Sequence, residues 1–229
     1  MLEERAVALN RFPHICKARE FSCEALNRLG KDVGDLVGDD LSVIANGSYA
    51  RLEASGESDI DFVIVARDPD DEGAKKREKQ IREKLRAAAK TPSSDGPFGA
   101  TLRVGDLARR IGGKDDTNNE ITRRILFLTE ARAFGGEQIF QNERDSILSA
   151  YVRDTITEHQ LGLFLLNDII RYYRTVCVDF EYKTVQAGKP WGIRNIKLVF
   201  SRKLLYFSGL LVCAQMAQKN SRDETSVRK

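Results

Sequence analysis

The chain has 229 residues, of which 41% are apolar, with 37 basic and 34 acidic side chains and a formal net charge of +3. This is enough apolar chain for a sizeable core in one large domain or two small ones, which excludes wholesale disorder. The even charge argues against a protein that lives on nucleic-acid backbone alone. No apolar run reaches the roughly 18 residues of a membrane span, and Met1-Leu2-Glu3-Glu4 does not open a secretory signal, so a cytoplasmic protein with no membrane partner is expected.

In chain order, residues 2–29 carry helical periodicity through Leu2, Val7, Leu9 and Phe12, then Phe21, Ala25, Leu26 and Leu29. Pro13 is expected to kink or split this stretch, and Gly30 and Gly34 to close it. Residues 41–45 form a short apolar run ending at Asn46-Gly47, which predicts a buried strand and a tight turn. A second such run, 60–66, stops at Asp68-Pro69. Residues 72–90 alternate charges around Ile81, Leu85 and Ala88, as a solvated helix with a thin apolar stripe does. A loop follows at 91–97, then a third strand at 100–104. Thr117-Asn118-Asn119-Glu120 is a capping box that opens a helix through Ile121, Ile125, Leu128 and Ala131, expected to end at Gly135-Gly136. Helical segments near 142–158, 160–177 and 193–217 complete the chain, and the polar residues from about Lys219 form a tail.

The four cysteines (Cys16, Cys23, Cys177 and Cys213) form no CxxC pair, and the two histidines, His14 and His159, are isolated. No zinc site is predicted, and reduced, mostly buried thiols are expected.

The chemistry concentrates between Gly47 and Phe62. A strand that ends in Gly47-Ser48 presents backbone amides and a hydroxyl with no bulky side chain in the way, which suits phosphate oxygens. Eleven residues past Ser48, Asp59-Ile60-Asp61 begins the second strand. Strand alternation points both carboxylates to one side and Ile60 into the core. Paired carboxylates repel unless a cation joins them, and an all-oxygen site favours Mg²⁺ or Mn²⁺. A phosphate-cradling turn beside paired acids is what a metal-bound nucleoside triphosphate needs for in-line attack. Arg51 and Ser58 are further candidate phosphate contacts.

Gly47-Ser48, Ala50-Arg51 and Ser58-Asp59-Ile60-Asp61 together resemble the signature of the DNA polymerase β-type nucleotidyltransferase superfamily: Gly-Ser, about ten residues, then Asp-x-Asp. More widely, 107–130 with Ile111-Gly112-Gly113 and Thr122-Arg123-Arg124, and Gly192-Ile193-Arg194-Asn195-Ile196, are similar to its bacterial uridylyltransferase-like branch. The resemblance implies an α+β fold: a small mixed β-sheet nucleotidyltransferase domain over residues 1–115, a helical bundle domain over 116–218 and a tail over 219–229. It implies a metal-dependent nucleotidyltransferase that moves an NMP group from a nucleoside triphosphate, ATP among the candidates, to a hydroxyl, with release of pyrophosphate. Asp59 and Asp61 would be the catalytic, metal-holding pair. Gly47, Ser48, Arg51 and Ser58 would contact the nucleotide. A protein or small-molecule acceptor is expected ahead of nucleic acid.

The superfamily usually has a third carboxylate on a later strand, and 100–104 carries none. Asp106 lies just past it and Asp95 in the loop before it; both also read as loop or capping residues. This departure keeps a second reading open, a nucleotide-binding regulatory or degenerate module without rapid turnover. A toxin-type enzyme acting on RNA would share the same site. The Asn and Asp residues around Asp115 read as turn and cap chemistry.

In the helical half, Asp168 falls on an apolar stripe with Arg171 and Arg174 nearby, which reads either as a buried Asp–Arg pair or as cleft chemistry. Tyr182 to Ser221 contains no acid at all. Arg194, Lys197 and Ser201 share a helical face that suits a triphosphate tail, an acidic partner or plain solvent. Trp191 is expected to pack between the domains. The apolar last helix must be buried by the bundle or by a partner, which points to a homodimer through it.

Overall fold

The computed structural model describes residues 12–91, 100–109, 111–152 and 162–219; the beginning of the first periodic stretch, Asp95 and the tail lie outside them. The chain divides into two compact units. The first is Met1–Val104 with Glu130–Glu143, and the second is Gly105–Thr129 with Arg144–Lys229. The division is discontinuous, where a single cut after residue 115 was expected.

The first unit opens with α1 (Pro13–Val37). Pro13 does not split it: it occupies the first turn, where its missing N–H is unneeded. Gly30 and Gly34 do not close it either. The helix runs to Val37 and stops at Gly38, whose φ of 58° is the left-handed conformation glycine tolerates. Gly30 answers a packing demand instead, since a Cβ there would lie 2.5 Å from the Phe134 carbonyl oxygen.

A four-stranded sheet in the order β3-β2-β1-β4 carries the rest. Strand β1 (Leu41–Asn46) pairs antiparallel with β2 (Asp61–Ala66), with Asn46 opposite Asp61 and Leu41 opposite Ala66. Between them lies the single turn α2 (Gly47–Ala50). Strand β3 is only Leu102–Arg103, parallel to β2. Strand β4 (Arg132–Gly135) pairs antiparallel with β1. This last strand corrects the expected helix over Ala131 to Gly135: the other edge of β1 recruits the segment into the sheet.

Leu41, Val43 and Ala45 with Phe62, Ile64 and Ala66 share one face and bury against Leu26, Leu29 and Val33 of α1 and Ile81 and Leu85 of α3 (Glu72–Ala88). Asp71 caps α3 by accepting the Ala74 amide at 2.8 Å. At roughly 1.5–3 kcal/mol per fully buried large aliphatic side chain, this layer holds the unit together.

The second unit is helical: α4 (Asp106–Arg109), α5 (Asn118–Thr129), the second half of α6 (Glu137–Tyr151), α7 (Leu163–Glu181), α8 (Trp191–Ile196) and α9 (Lys203–Lys219). The hydroxyl half of the expected capping box is present, with the Glu120 amide 3.4 Å from Thr117 Oγ1. Helices α7 and α9 approach closely enough that a Cβ on Gly209 would lie 2.8 Å from Ile169 Cδ1. Tyr173 and Tyr206 stack between them with centroids 4.4 Å apart. Two π-helical segments, Tyr182–Gln186 and Lys197–Arg202, interrupt the α-helical winding after α7 and after α8.

Two further expectations are corrected, for Trp191 and for the cysteines. Trp191 is 62% exposed rather than packed. The last helix buries Cys213 and Met216, while Leu204 and Leu211 are 64% and 68% exposed. Of the four free cysteines only Cys213 is buried, the others being half-buried; burial pushes the Cys213 thiol up to about 11. Among the described residues, no helix is long and apolar enough to cross a membrane.

Candidate functional site

The first unit brings Gly47 and Asp61 into contact. Gly47 has a φ of +67°, and a Cβ there would lie 2.7 Å from Asp61 Oδ2. Only glycine fulfils both conditions, so the turn and the acid form one construction. The register explains it: residues directly opposite in an antiparallel pair place their side chains on one face. Asn46 and Asp61 therefore share the sheet face opposite the one that packs against α1 and α3.

Asp59 lies before β2 rather than on it, because pairing with β1 begins only at Asp61. The alternation still holds. Ile60 is fully buried, its N–H donating to the Lys90 carbonyl at 2.8 Å, while Asp59 is exposed and Asp61 half-buried. Ser58 is engaged in its own loop, where its hydroxyl accepts the Ser55 amide at 3.0 Å. Ser48 is half-buried, and its hydroxyl has no protein partner among the described residues.

Two groups expected to face phosphate are engaged elsewhere. The Gly47 amide donates to Glu130 Oε1 at 2.8 Å. Arg51 pairs with Glu53 through Nε at 3.0 Å and with Glu130 through Nη1. Glu130, almost fully buried at the start of the segment leading into β4, thus ties the phosphate-type turn to its arginine. The sequence reading missed Glu130. A signal existed: an acid at the C-terminal end of a helix opposes the helix dipole and calls for a compensating cation or amide.

Asn46 is 1% exposed, and neither its Oδ1 nor its Nδ2 has a hydrogen-bond partner. An unpaired buried amide costs about 1–3 kcal/mol, and this one shares a face with Asp61. Two carboxylates, a glycine that leaves room beside one of them and an orphaned amide are an oxygen-rich set that fits Mg²⁺ or Mn²⁺. Among the described residues no three His, Cys, Asp or Glu side chains converge on a metal position. The aspartate pair would thus leave coordination positions to water and phosphate oxygens, as Mg²⁺ sites commonly do.

The candidates for a third acid fare differently. Strand β3 offers Arg103, which holds Asp68 and Asp70 at 3.0 and 2.5 Å. Asp106 belongs to the second unit and pairs with Arg109 at 2.6 Å. Asp95 lies outside the described residues.

The second unit contains a buried ionic cluster of its own. Arg124 is fully buried. Its Nε donates to Tyr151 OH at 2.6 Å, and its Nη2 to Asp168 Oδ2 at 2.7 Å and Asp116 Oδ2 at 3.0 Å. The Tyr151 hydroxyl in turn donates a hydrogen bond to Asp168 Oδ2 at 2.6 Å. Asp168 is therefore the buried ion-pair residue, with Arg124 as its main partner, while Arg171 stands 3.7 Å away. Asp116, read as turn chemistry, is drawn in as well. Burial works against the Arg124 charge, but its hydrogen bonds to Asp116, Asp168 and Tyr151 and the charge around it hold its pKa above the ordinary range. Burial pushes the Tyr151 phenol well up, with Arg124 opposing and Asp168 reinforcing the shift.

Residues 26–92 match the family model of the nucleotidyltransferase domain. That stretch contains Gly47, Ser48, Arg51, Ser58, Asp59 and Asp61. No curated protein and no solved structure matches the chain.

Proposed function

Because residues 26–92 are a nucleotidyltransferase domain of the DNA polymerase β-type superfamily, which supports nucleotidyl transfer, we propose that the chain moves an NMP group from a nucleoside triphosphate to a hydroxyl of a protein or small molecule. The observation that carries this reading is the contact between Gly47 and Asp61. The likeness of residues 107–130 and 192–196 to the uridylyltransferase-like branch belongs to the same proposal.

Asp59 and Asp61 would hold Mg²⁺ or Mn²⁺, which when bound neutralises charge on the phosphates. Ser48 offers its unpartnered hydroxyl to a phosphate oxygen. Arg51 stands over the same turn and turns from Glu130 to the triphosphate when that arrives. In the reaction the acceptor oxygen bonds to the α-phosphorus, the bond from that phosphorus to the bridging oxygen breaks, pyrophosphate leaves with that oxygen, and the acceptor's proton passes to water.

A second reading, nucleotide binding without rapid turnover, is favoured by one observation: Glu130 already engages both the Gly47 amide and Arg51. One assay separates the two. Purified protein meets each labelled ribonucleoside triphosphate with Mg²⁺ or Mn²⁺ and a cell lysate, and Asp59→Asn/Asp61→Asn is the control. Label on an acceptor and pyrophosphate release, both reduced on the order of 10²–10³-fold or more in the control, support transfer; label on RNA would identify a toxin-type acceptor instead. Binding without label transfer supports the second reading, and full turnover in the control removes the aspartates from the mechanism.

We also propose a homodimer through the last helix and the turn before it, where Phe200, Leu204, Phe207 and Leu211 are exposed at helical spacing. Light scattering would show two chains for the parent protein and one for Phe200→Glu/Leu204→Glu.

A further inference from the structure

We propose that the helical unit carries a second ligand site, independent of nucleotidyl transfer: an anion pocket for a small phosphate monoester with an aromatic or apolar body. The pocket has a volume of about 330 Å³ and lies between the end of α7 and the α8 segment. That volume is in the range of small-molecule sites, about 300–1,000 Å³.

Its charge is one-sided. Lys183, Lys189, Arg194, Lys197 and Arg202 line it, against the single acid Asp179. Asp179 is already engaged by Lys183 at 2.7 Å. Lys189, Arg194 and Lys197 have no acidic partner among the described residues. Three unpaired cations around one cavity repel each other, and an anion relieves that repulsion. A phosphate also matches the planar donor fork of Arg194.

The backbone is shaped here in an uncommon way. Both π-helical segments supply lining residues: Lys183 from Tyr182–Gln186, and Lys197, Leu198 and Arg202 from Lys197–Arg202. A π turn is rare, and its occurrences concentrate at functional sites. Here the two segments, with residues 187–196 between them, both bring cations to one hollow. Phe180, Pro190 and Ile193 form an apolar wall beside the cations. Such a wall gains nothing from bare phosphate, but it takes the ring of an aromatic ester.

The test is calorimetric titration of the whole chain with phenyl phosphate and with inorganic phosphate, without divalent metal so that the aspartate site stays silent. One phenyl phosphate per chain is expected, bound more tightly than inorganic phosphate. Arg194→Glu/Lys197→Glu should weaken it by roughly tenfold or more, and the milder Arg194→Gln/Lys197→Gln less so, with helical circular dichroism retained in at least the milder variant. Asp59→Asn/Asp61→Asn should leave the binding unchanged, which keeps the result apart from the fate of the nucleotidyl-transfer reading. The proposal is overturned by absence of binding in the millimolar range, by binding indifferent to both Arg194/Lys197 variants in a folded protein, or by binding lost in the aspartate variant instead.

Discussion

Each unit sets an arginine among acids, and the two clusters are finished to different degrees. Around Arg124 every partner is in place: two aspartates, a tyrosine that both accepts and donates, and no exposed edge. Around Arg51 the set is open. Glu130 holds the arginine and the Gly47 amide, while Asn46 has no partner, Asp59 faces solvent and Ser48 has its hydroxyl unengaged. A closed polar network fixes packing. An open one carries a standing cost that a ligand can offset. On this ground the Arg124 cluster reads as architecture and the Arg51 cluster as a site.

Three measurements bear on that contrast. The largest effect is expected at Arg124→Met, which leaves Asp116, Asp168 and Tyr151 buried without their cation. Urea denaturation should show a loss of about 3–5 kcal/mol, with triphosphate affinity unchanged. A folded Arg124→Met protein with altered nucleotide binding would break the distinction between the clusters.

A smaller effect is expected at Glu130→Gln. The amide side chain still accepts from Gly47 but no longer restrains Arg51 by charge. Stability should fall by about 1–3 kcal/mol, while nucleoside triphosphate binds roughly three- to tenfold more tightly in a titration, because a negative charge has left the phosphate side. Loss of stability with unchanged affinity would make Glu130 as architectural as Arg124.

The smallest belongs to an ion pair outside both clusters. Asp40 accepts two hydrogen bonds from Arg77, which holds its carboxyl below the usual range against the pull of desolvation. Both side chains are about a third exposed, so Asp40→Asn should cost only about 0.2–1 kcal/mol. Since the folded pKa is depressed, that contribution is complete above the ordinary carboxylate range and is lost as pH falls through the depressed value. Parent and variant stabilities, measured by denaturation from pH 7 downward, should therefore converge below about pH 4.

Features set by neighbours in sequence were legible in advance. The Gly47-Ser48 turn, the burial of Ile60 between two acids and the capping of the helix at 118 rest on residues within a few positions of one another. What the sequence hid depends on distant partners. Gly30 has the composition of a helix stop, yet its constraint is the Phe134 carbonyl from β4. Residues 132–135 are too few to show a strand period, and pairing with β1 makes them one. Glu130 gains meaning only beside Gly47 and Arg51. The apolar last helix announced a buried face, but periodicity does not say what covers it.

The pairing of Asn46 with Asp61 also makes the motif a matter of anchorage rather than counting. Both ends of the intervening segment are pinned by the β1–β2 ladder, so the separation of turn and acid in space does not depend on how many residues join them. Gly56 sits in that connection with open space around it. Lengthening the loop there costs chain entropy that grows only slowly, about 0.6 kcal/mol per doubling. The connection around Gly56 is accordingly where an engineer can insert a tag or a sensor domain without moving Asn46 or Asp61, the two residues that the ladder holds.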